Sequence, residues 1–214
     1  MIPPETLTAA EAETLLHRQA ALQAEATAVL TELDLIDRLS HVGSVRQIGS
    51  STLGLMVWRD IDLSVSGLTP EQAIDALRPV FVHPRVTQVR YLNEAGVYNP
   101  TGAALYERAY FQIFLDPGAG GEAWKLDLSF WLAEGLHPEP IHDAIARQVT
   151  SETRLAILWI KDRWCRLPSY HHGVSSLDIY EAVLQHGVRT PAQFNHYLLT
   201  HGKPTGCPVM LDHP

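Results

Sequence analysis

The sequence predicts an α+β protein in which a mixed β-sheet flanked by helices is followed by a purely helical part. Two patterns support this division. Short segments of alternating apolar and polar residues continue to about residue 132, whereas from Pro138 onward the apolar residues recur at helical spacing. We therefore expect one domain at residues 1–135, which includes a long N-terminal helix, and a helical domain at residues 136–214.

The composition is that of a globular protein. Of the 214 residues, 46% are hydrophobic and 19% are charged, which is enough apolar material for a core. The 24 acidic residues outnumber the 16 basic ones, and the net charge of -8 argues against nucleic acid as a partner held through its phosphates. Two cysteines are too few for a disulfide framework, and no apolar run is long enough for a membrane span. We expect a cytoplasmic protein with no membrane partner.

The N-terminal segment is predicted to be one long helix. Thr8 followed by Glu11 is typical of a capping box at a helix start. Apolar residues then recur at a seven-residue interval: Leu15, Leu22, Val29 and Ile36. Gly43 is expected to end this helix before a short strand at residues 44–48.

Predicted strands and helices alternate through the middle of the chain, and only helices are predicted after it. The elements expected before the helical part are a strand at 60–65, a helix from Thr69 to about Leu77, a strand at 85–92, and a β-hairpin of 105–115 and 123–132. The elements expected in the helical part are one long helix or two helices broken near Thr150, a helix from Ser175 to Gly187, and a helix that starts with Pro191.

A glycine-serine turn and three carboxylates form the most informative motif. Gly49 and Ser50 follow the first strand, and their backbone N–H groups can face an anion. Nine residues later Asp60 and Asp62 alternate on a predicted strand, so both carboxylates lie on one face and can hold divalent metal ions. Asp127 lies at the centre of a later strand whose other side is apolar, where a charged residue needs an explanation.

This motif resembles the pattern of the nucleotidyltransferase superfamily related to DNA polymerase β. The resemblance covers about residues 40–132 and depends on the order and spacing of the five residues just named. It implies a nucleotidyltransferase fold with residues 1–135 as the catalytic domain. It also implies an enzyme that transfers a nucleoside monophosphate, with ATP as the first choice of NTP, to a hydroxyl on a small molecule or protein, releasing pyrophosphate.

The resemblance assigns a role to each residue of the motif. Asp60 and Asp62 would hold two Mg²⁺ or Mn²⁺ ions on the triphosphate. Asp127 would complete the metal site and help to activate the acceptor hydroxyl. Gly49 and Ser50 would bind the β- and γ-phosphates.

A second group of candidate nucleotide-binding residues lies in the helical part. In template-independent relatives a lysine on a helix after the third carboxylate contacts phosphates, and a Ser-Tyr pair binds the nucleotide. Lys161 with Ser169 and Tyr170 resembles that arrangement. The alternative is a solvated basic face, since Arg147 and Arg154 precede Lys161 at seven-residue intervals, together with a tyrosine packed between helices.

A non-catalytic protein on the same fold is the competing function. Such a nucleotide-binding or antitoxin-like partner protein would bind NTP without turnover and would pack a partner chain on the helical region. Intact Asp60, Asp62 and Asp127 count against it. The acceptor, the preferred base, the choice between Mg²⁺ and Mn²⁺ and the oligomeric state are left open by the sequence.

Overall fold

The chain divides into two units, one built around a β-sheet and the other helical. The computed structural model describes residues 6–118, 121–132, 139–170 and 172–205. The sheet unit is Ala20–Ala146, and the helical unit is Met1–Gln19 together with Arg147–Pro214. The domain boundary predicted between residues 135 and 136 lies outside the described residues.

A mixed sheet forms the centre of the sheet unit. Its strands are β1 (Ser44–Ile48), β2 (Asp60–Ser66), β3 (Val86–Glu94), β4 (Arg108–Leu115) and β5 (Trp124–Trp131). Their spatial order is β1-β2-β5-β4-β3. The central pair, β2 and β5, is parallel, and each other neighbouring pair is antiparallel. The α+β class and the mixed sheet predicted from the sequence are confirmed.

Helices flank this sheet and make up the helical unit. They are α1 (Ala9–Glu32), α2 (Leu35–Ser40), α3 (Ser50–Leu53), α4 (Pro70–Phe81), α5 (Glu139–Gln148), α6 (Ser151–Trp164), α7 (Ser176–Gln185) and α8 (Pro191–Thr200). Thr150 caps α6, so the helix after residue 138 is two helices, one of the two possibilities left open by the sequence. None of the described helices combines the length and the apolar character needed to cross a membrane.

The prediction of one unbroken N-terminal helix is wrong at its C-terminal end. Asp34 has a left-handed backbone with φ of 52°, which ends α1 and lets α2 begin at Leu35. Aspartate is one of the few residues that tolerate this conformation, because its short side chain can bond locally. The seven-residue apolar spacing continues across the break, since residues on both helices face the same core.

One face of the sheet is apolar and the other carries the polar residues. On the apolar face the two central strands contribute buried side chains from alternate positions: Ile61, Leu63, Val65, Leu126, Leu128 and Phe130. They form one core with apolar residues of α1, α2 and α4. Because successive residues of a strand point to opposite faces, Asp60, Asp62 and Asp127 lie on the other face.

Thr69 caps α4, the helix that the sequence predicts to start at this residue. Its hydroxyl accepts a hydrogen bond from the backbone N–H of Gln72 at 3.3 Å, and the Gln72 side chain accepts one from the backbone N–H of Thr69 at 2.9 Å.

Replacing Thr69 tests the contribution of this cap to stability. We expect Thr69→Ala to lower the free energy of unfolding by about 1 kcal/mol, because an amide at the helix start loses its acceptor. Urea denaturation followed by circular dichroism measures the change, and Thr69→Ser, which keeps the oxygen, is the matched control. Equal unfolding curves for Thr69→Ala and the wild type would contradict this expectation.

Candidate active site

The two central strands bring three carboxylates together. Asp62 lies opposite Asp127 in the parallel β2–β5 pair, and Asp60 lies opposite Lys125. One oxygen from each of Asp60, Asp62 and Asp127 lies within 4.8 Å of the others. We call these three residues the carboxylate cluster. Carboxylates this close repel one another, so their arrangement favours a bound cation.

Gly49 lies against one member of the cluster. Ile48, the last residue of β1, is the partner of Asp62 in the sheet, so Gly49 follows directly beside that carboxylate. The glycine has φ of 75° and ψ of -160°, a conformation that residues with a side chain avoid. A Cβ atom at this position would lie 2.1 Å from Oδ2 of Asp62. Glycine is therefore required both by the backbone and by the close approach of the carboxylate.

The turn after β1 also contacts α5. The backbone N–H of Gly49 donates a hydrogen bond to Nδ1 of His142 at 3.2 Å, and Nε2 of the same ring lies 3.2 Å from Oγ1 of Thr52. An ion pair between Arg46 and Asp143 joins β1 to α5 nearby, with one N···O distance of 3.2 Å. The Gly49 amide, one of the N–H groups that the sequence predicts to face an anion, donates to a histidine in this structure. Ser50 is buried at the start of α3.

Lys125 contacts two members of the carboxylate cluster. Its Nζ lies 3.2 Å from Oδ1 of Asp60 and 2.8 Å from Oδ2 of Asp127. Burial alone would lower the pKa of this ammonium, but the charges of the two carboxylates outweigh it and raise the pKa. Lys125 is therefore fully charged at neutral pH and lies between two members of the cluster.

The donor set of the cluster fits a divalent metal ion. Asp60 is only 8% exposed. Its Oδ1 is buried, and apart from the ionic contact with Lys125 no group within the described residues is aligned to donate a hydrogen bond to it. Burial raises the pKa of this carboxyl, while Lys125 opposes that shift. A buried carboxylate oxygen without a hydrogen-bond donor is suited to metal coordination, and Mg²⁺ and Mn²⁺ prefer oxygen ligands.

Two polar side chains of β4 contact Asp127. Gln112, its partner across the β4–β5 pair, places Nε2 3.4 Å from Oδ1 of Asp127 and 3.3 Å from the hydroxyl of Tyr110. Burial, followed by the charge of Asp127, raises the pKa of Tyr110, so its hydroxyl keeps its proton. Both groups can orient the Asp127 carboxylate.

Several solved structures share this arrangement of sheet and helices. The RNA terminal uridylyl transferase Cid1 has a TM-score of 0.52 and 17% identity, covering 76% of this chain and 46% of that chain. A cytoplasmic RNA terminal U-transferase has a TM-score of 0.51 and 16% identity, covering 76% and 47%. The GLD-2/RNP-8 complex has a TM-score of 0.53 and 10% identity, covering 94% and 72%. The chain has the nucleotidyltransferase fold.

The nucleotidyltransferase fold confirms the resemblance that the glycine-serine turn and the three aspartates indicate. At these identities the similarity is one of fold. The chain spans about half the length of the two terminal transferases, 46% and 47%. No family model and no curated protein sequence matches this chain.

The second group of predicted nucleotide-binding residues belongs to the helical unit. Lys161 on α6 is 1% exposed, and its Nζ lies 3.2 Å from the hydroxyl of Tyr180. Tyr170 is also buried, and its hydroxyl shares a hydrogen bond of 2.7 Å with Oγ of Ser176. Ser169, just before it, is half-buried. A nucleotide-binding role for Lys161, Ser169 and Tyr170 stays a prediction.

The alternative of one solvated basic face is wrong for Lys161. The break at Thr150 places Arg147 on α5, whereas Arg154 and Lys161 lie on α6. The seven-residue spacing therefore does not form a single stripe on one helix. Because Lys161 is buried, its ammonium is not part of a solvent-exposed surface.

Three residues that contact the site are not predicted from the sequence: Lys125, His142 and Gln112. Lys125 lies two residues before Asp127, so the alternation of the strand already places both side chains on one face. Gln112 could be found only with the β4–β5 register in hand. His142 is 93 residues from Gly49, and nothing in the local sequence links the two.

Proposed function

We propose that the chain is a metal-dependent nucleotidyltransferase. It transfers a nucleoside monophosphate, with AMP from ATP as the first candidate, to a hydroxyl on a small molecule or protein, and pyrophosphate leaves. The observation that carries this proposal is the carboxylate cluster on a nucleotidyltransferase fold, in which one oxygen from each carboxylate lies within 4.8 Å of the others.

The chemistry divides among the three carboxylates. Asp60 and Asp62 would hold Mg²⁺ or Mn²⁺, and Asp127 would complete the site. When bound, such ions neutralise phosphate charge and lower the pKa of a bound hydroxyl. Asp127 accepts the proton of the acceptor hydroxyl, whose oxygen forms a bond to the α-phosphorus as the bond to the pyrophosphate oxygen breaks. Because Asp60 and Asp62 project from a central strand, the sheet itself positions these groups.

The nucleotide would contact the turn after β1. The Ser50 and Ser51 amides at the start of α3, with the Ser50 hydroxyl, would supply donors for phosphate oxygens, whereas the amides of Thr52 and Leu53 already donate to the Gly49 carbonyl. For the Gly49 amide to join them, its hydrogen bond to His142 has to open. Lys161, Ser169 and Tyr170 are the further nucleotide contacts that we propose.

The choice of a small molecule or protein as the acceptor rests only on the net charge of the chain. A net charge of -8 argues against a nucleic-acid acceptor, which basic residues would have to hold. RNA is nevertheless the acceptor class named for the two terminal transferases of similar fold, so it is the competing acceptor. We also propose a cytoplasmic location, on the basis of the low cysteine content.

Metal removal tests the proposed reaction. Pyrophosphate release is measured with each of the four NTPs in Mg²⁺, in Mn²⁺ and in EDTA, with a metabolite extract, a protein extract or RNA as the acceptor source. We expect release with a divalent ion and a fall of at least about 100-fold in EDTA, because transition-state charge is then unshielded. Label transferred from α-labelled ATP identifies the acceptor.

The other outcomes separate the competing functions. Release that persists in EDTA would contradict the metal-dependent reaction. Nucleotide binding without release in any arm would favour the non-catalytic partner protein. Transfer to RNA alone would replace the small-molecule or protein acceptor and keep the rest of the proposal.

A further inference from the structure

Lys125 has an arrangement that the proposed reaction does not use. Its ammonium contacts an oxygen of Asp60 at 3.2 Å and an oxygen of Asp127 at 2.8 Å. Both carboxylates belong to the carboxylate cluster, whose nearest oxygens lie within 4.8 Å of one another. A single positive charge therefore lies between two groups that a divalent ion would also have to contact.

The cluster needs a positive charge even before any metal arrives. Asp60 is almost fully buried, and apart from the Lys125 ammonium no group within the described residues is aligned to donate a hydrogen bond to its Oδ1. An ionised carboxylate buried beside others is unstable unless an opposite charge compensates it. Lys125 provides this charge from the next strand, because the β2–β5 register places it directly opposite Asp60.

We infer that Lys125 is a resident counter-cation of the carboxylate cluster, which holds Asp60 and Asp127 in place without metal and must withdraw when a divalent ion binds. The inference rests on the metal site of the proposed function. Withdrawal is feasible because a lysine has a flexible four-carbon stem, and this side chain is 28% exposed. Metal affinity is then set by competition between the ion and the lysine.

This competition predicts opposite effects of one substitution on metal binding and on stability. Lys125→Met keeps the length of the side chain and removes its charge. Mn²⁺ binding to the nucleotide-free chain, measured by electron paramagnetic resonance, should become tighter by about tenfold or more, because the ion no longer displaces an ammonium. In EDTA the same variant should melt about 4–10 °C below the wild type, since the buried carboxylates lose their counter-charge.

Two variants serve as controls. Lys203→Met makes the same charge change at a lysine that pairs with Asp178 in the helical unit, and it should leave Mn²⁺ affinity within about twofold of the wild type. Lys125→Arg keeps the charge and should bind Mn²⁺ within about twofold of the wild type. If Lys125→Met folds only when Mn²⁺ is present, the Mn²⁺ affinity of Lys125→Arg still tests the inference.

The outcomes distinguish the counter-cation role of Lys125 from the metal site on which that role depends. Equal or weaker Mn²⁺ binding by Lys125→Met, an unchanged melting temperature in EDTA, or tight binding by Lys125→Arg would overturn the counter-cation role and leave the metal site intact. Absence of Mn²⁺ binding in both the wild type and Lys125→Met would overturn the inference together with the metal site. Loss of binding in Asp62→Asn, with binding in the wild type, confirms that the signal comes from the cluster.

Discussion

Asp62→Asn is expected to lower pyrophosphate release at least about 1000-fold, because an amide cannot replace a charged metal ligand at the reacting phosphate. The substitution is nearly isosteric and changes one oxygen to nitrogen. Asp62 is partly exposed, so the loss should arise in the site and not from unfolding. The measurement is NTP-dependent pyrophosphate release with the acceptor source that is active for the wild type, alongside a thermal melt of each protein.

Asp75→Asn is the matched control for this change. Asp75 is exposed on α4, where it pairs with Arg78, and it belongs to the same unit as the carboxylate cluster. Its removal should leave release within about twofold, as expected for an exposed ion pair. If Asp62→Asn retained more than a tenth of the wild-type release, the metal role of the cluster would have to be abandoned.

Gly49→Ala is expected to disrupt both folding and the site. Alanine would have to adopt a backbone with φ of 75°, and its Cβ would lie 2.1 Å from Oδ2 of Asp62, so the turn or the carboxylate must move. We expect a loss of about 2–4 kcal/mol in the free energy of unfolding, combining backbone strain with a steric clash. NTP binding, measured by fluorescence with a labelled nucleotide under conditions where the variant is folded, should fall to background.

Gly67→Ala separates the effect of backbone strain from the effect of the steric clash. Gly67 also has a positive φ, 83°, but a Cβ atom there would meet nothing within 4 Å. This variant should lose only about 1–2 kcal/mol from backbone strain and should bind NTP as the wild type does. Similar behaviour of the two variants would show that the close approach between Gly49 and Asp62 is unimportant.

The carboxylate cluster could be predicted because it depends on short-range rules. β1 has the predicted bounds of residues 44–48, and β2 begins at Asp60 as expected. Once a strand is recognised, its two-residue period decides which side chains share a face, so Asp60 and Asp62 need no further information. Asp127 is assigned as the third carboxylate through the resemblance, whose pattern places it on a later strand.

Features that depend on pairing between distant segments could not be predicted in this way. Asp34 ends α1 without a glycine or proline, so the chain carries no strong local signal for the break. His142 reaches Gly49 only because β1, α3 and α5 meet in the folded unit. The alternation of the strand places Lys125 on the face of Asp127, but its contact with Asp60 requires the β2–β5 register.

The carboxylate cluster is complete only in a chain in which β2 has paired with β5. Two other strands of the sheet, β3 and β4, lie between this pair in the sequence, so the pair closes a long loop of chain. A folding intermediate in which β5 is unpaired offers Asp60 and Asp62 but neither Asp127 nor the ammonium of Lys125. An ion that contacts all three carboxylates therefore requires the completed β2–β5 pair.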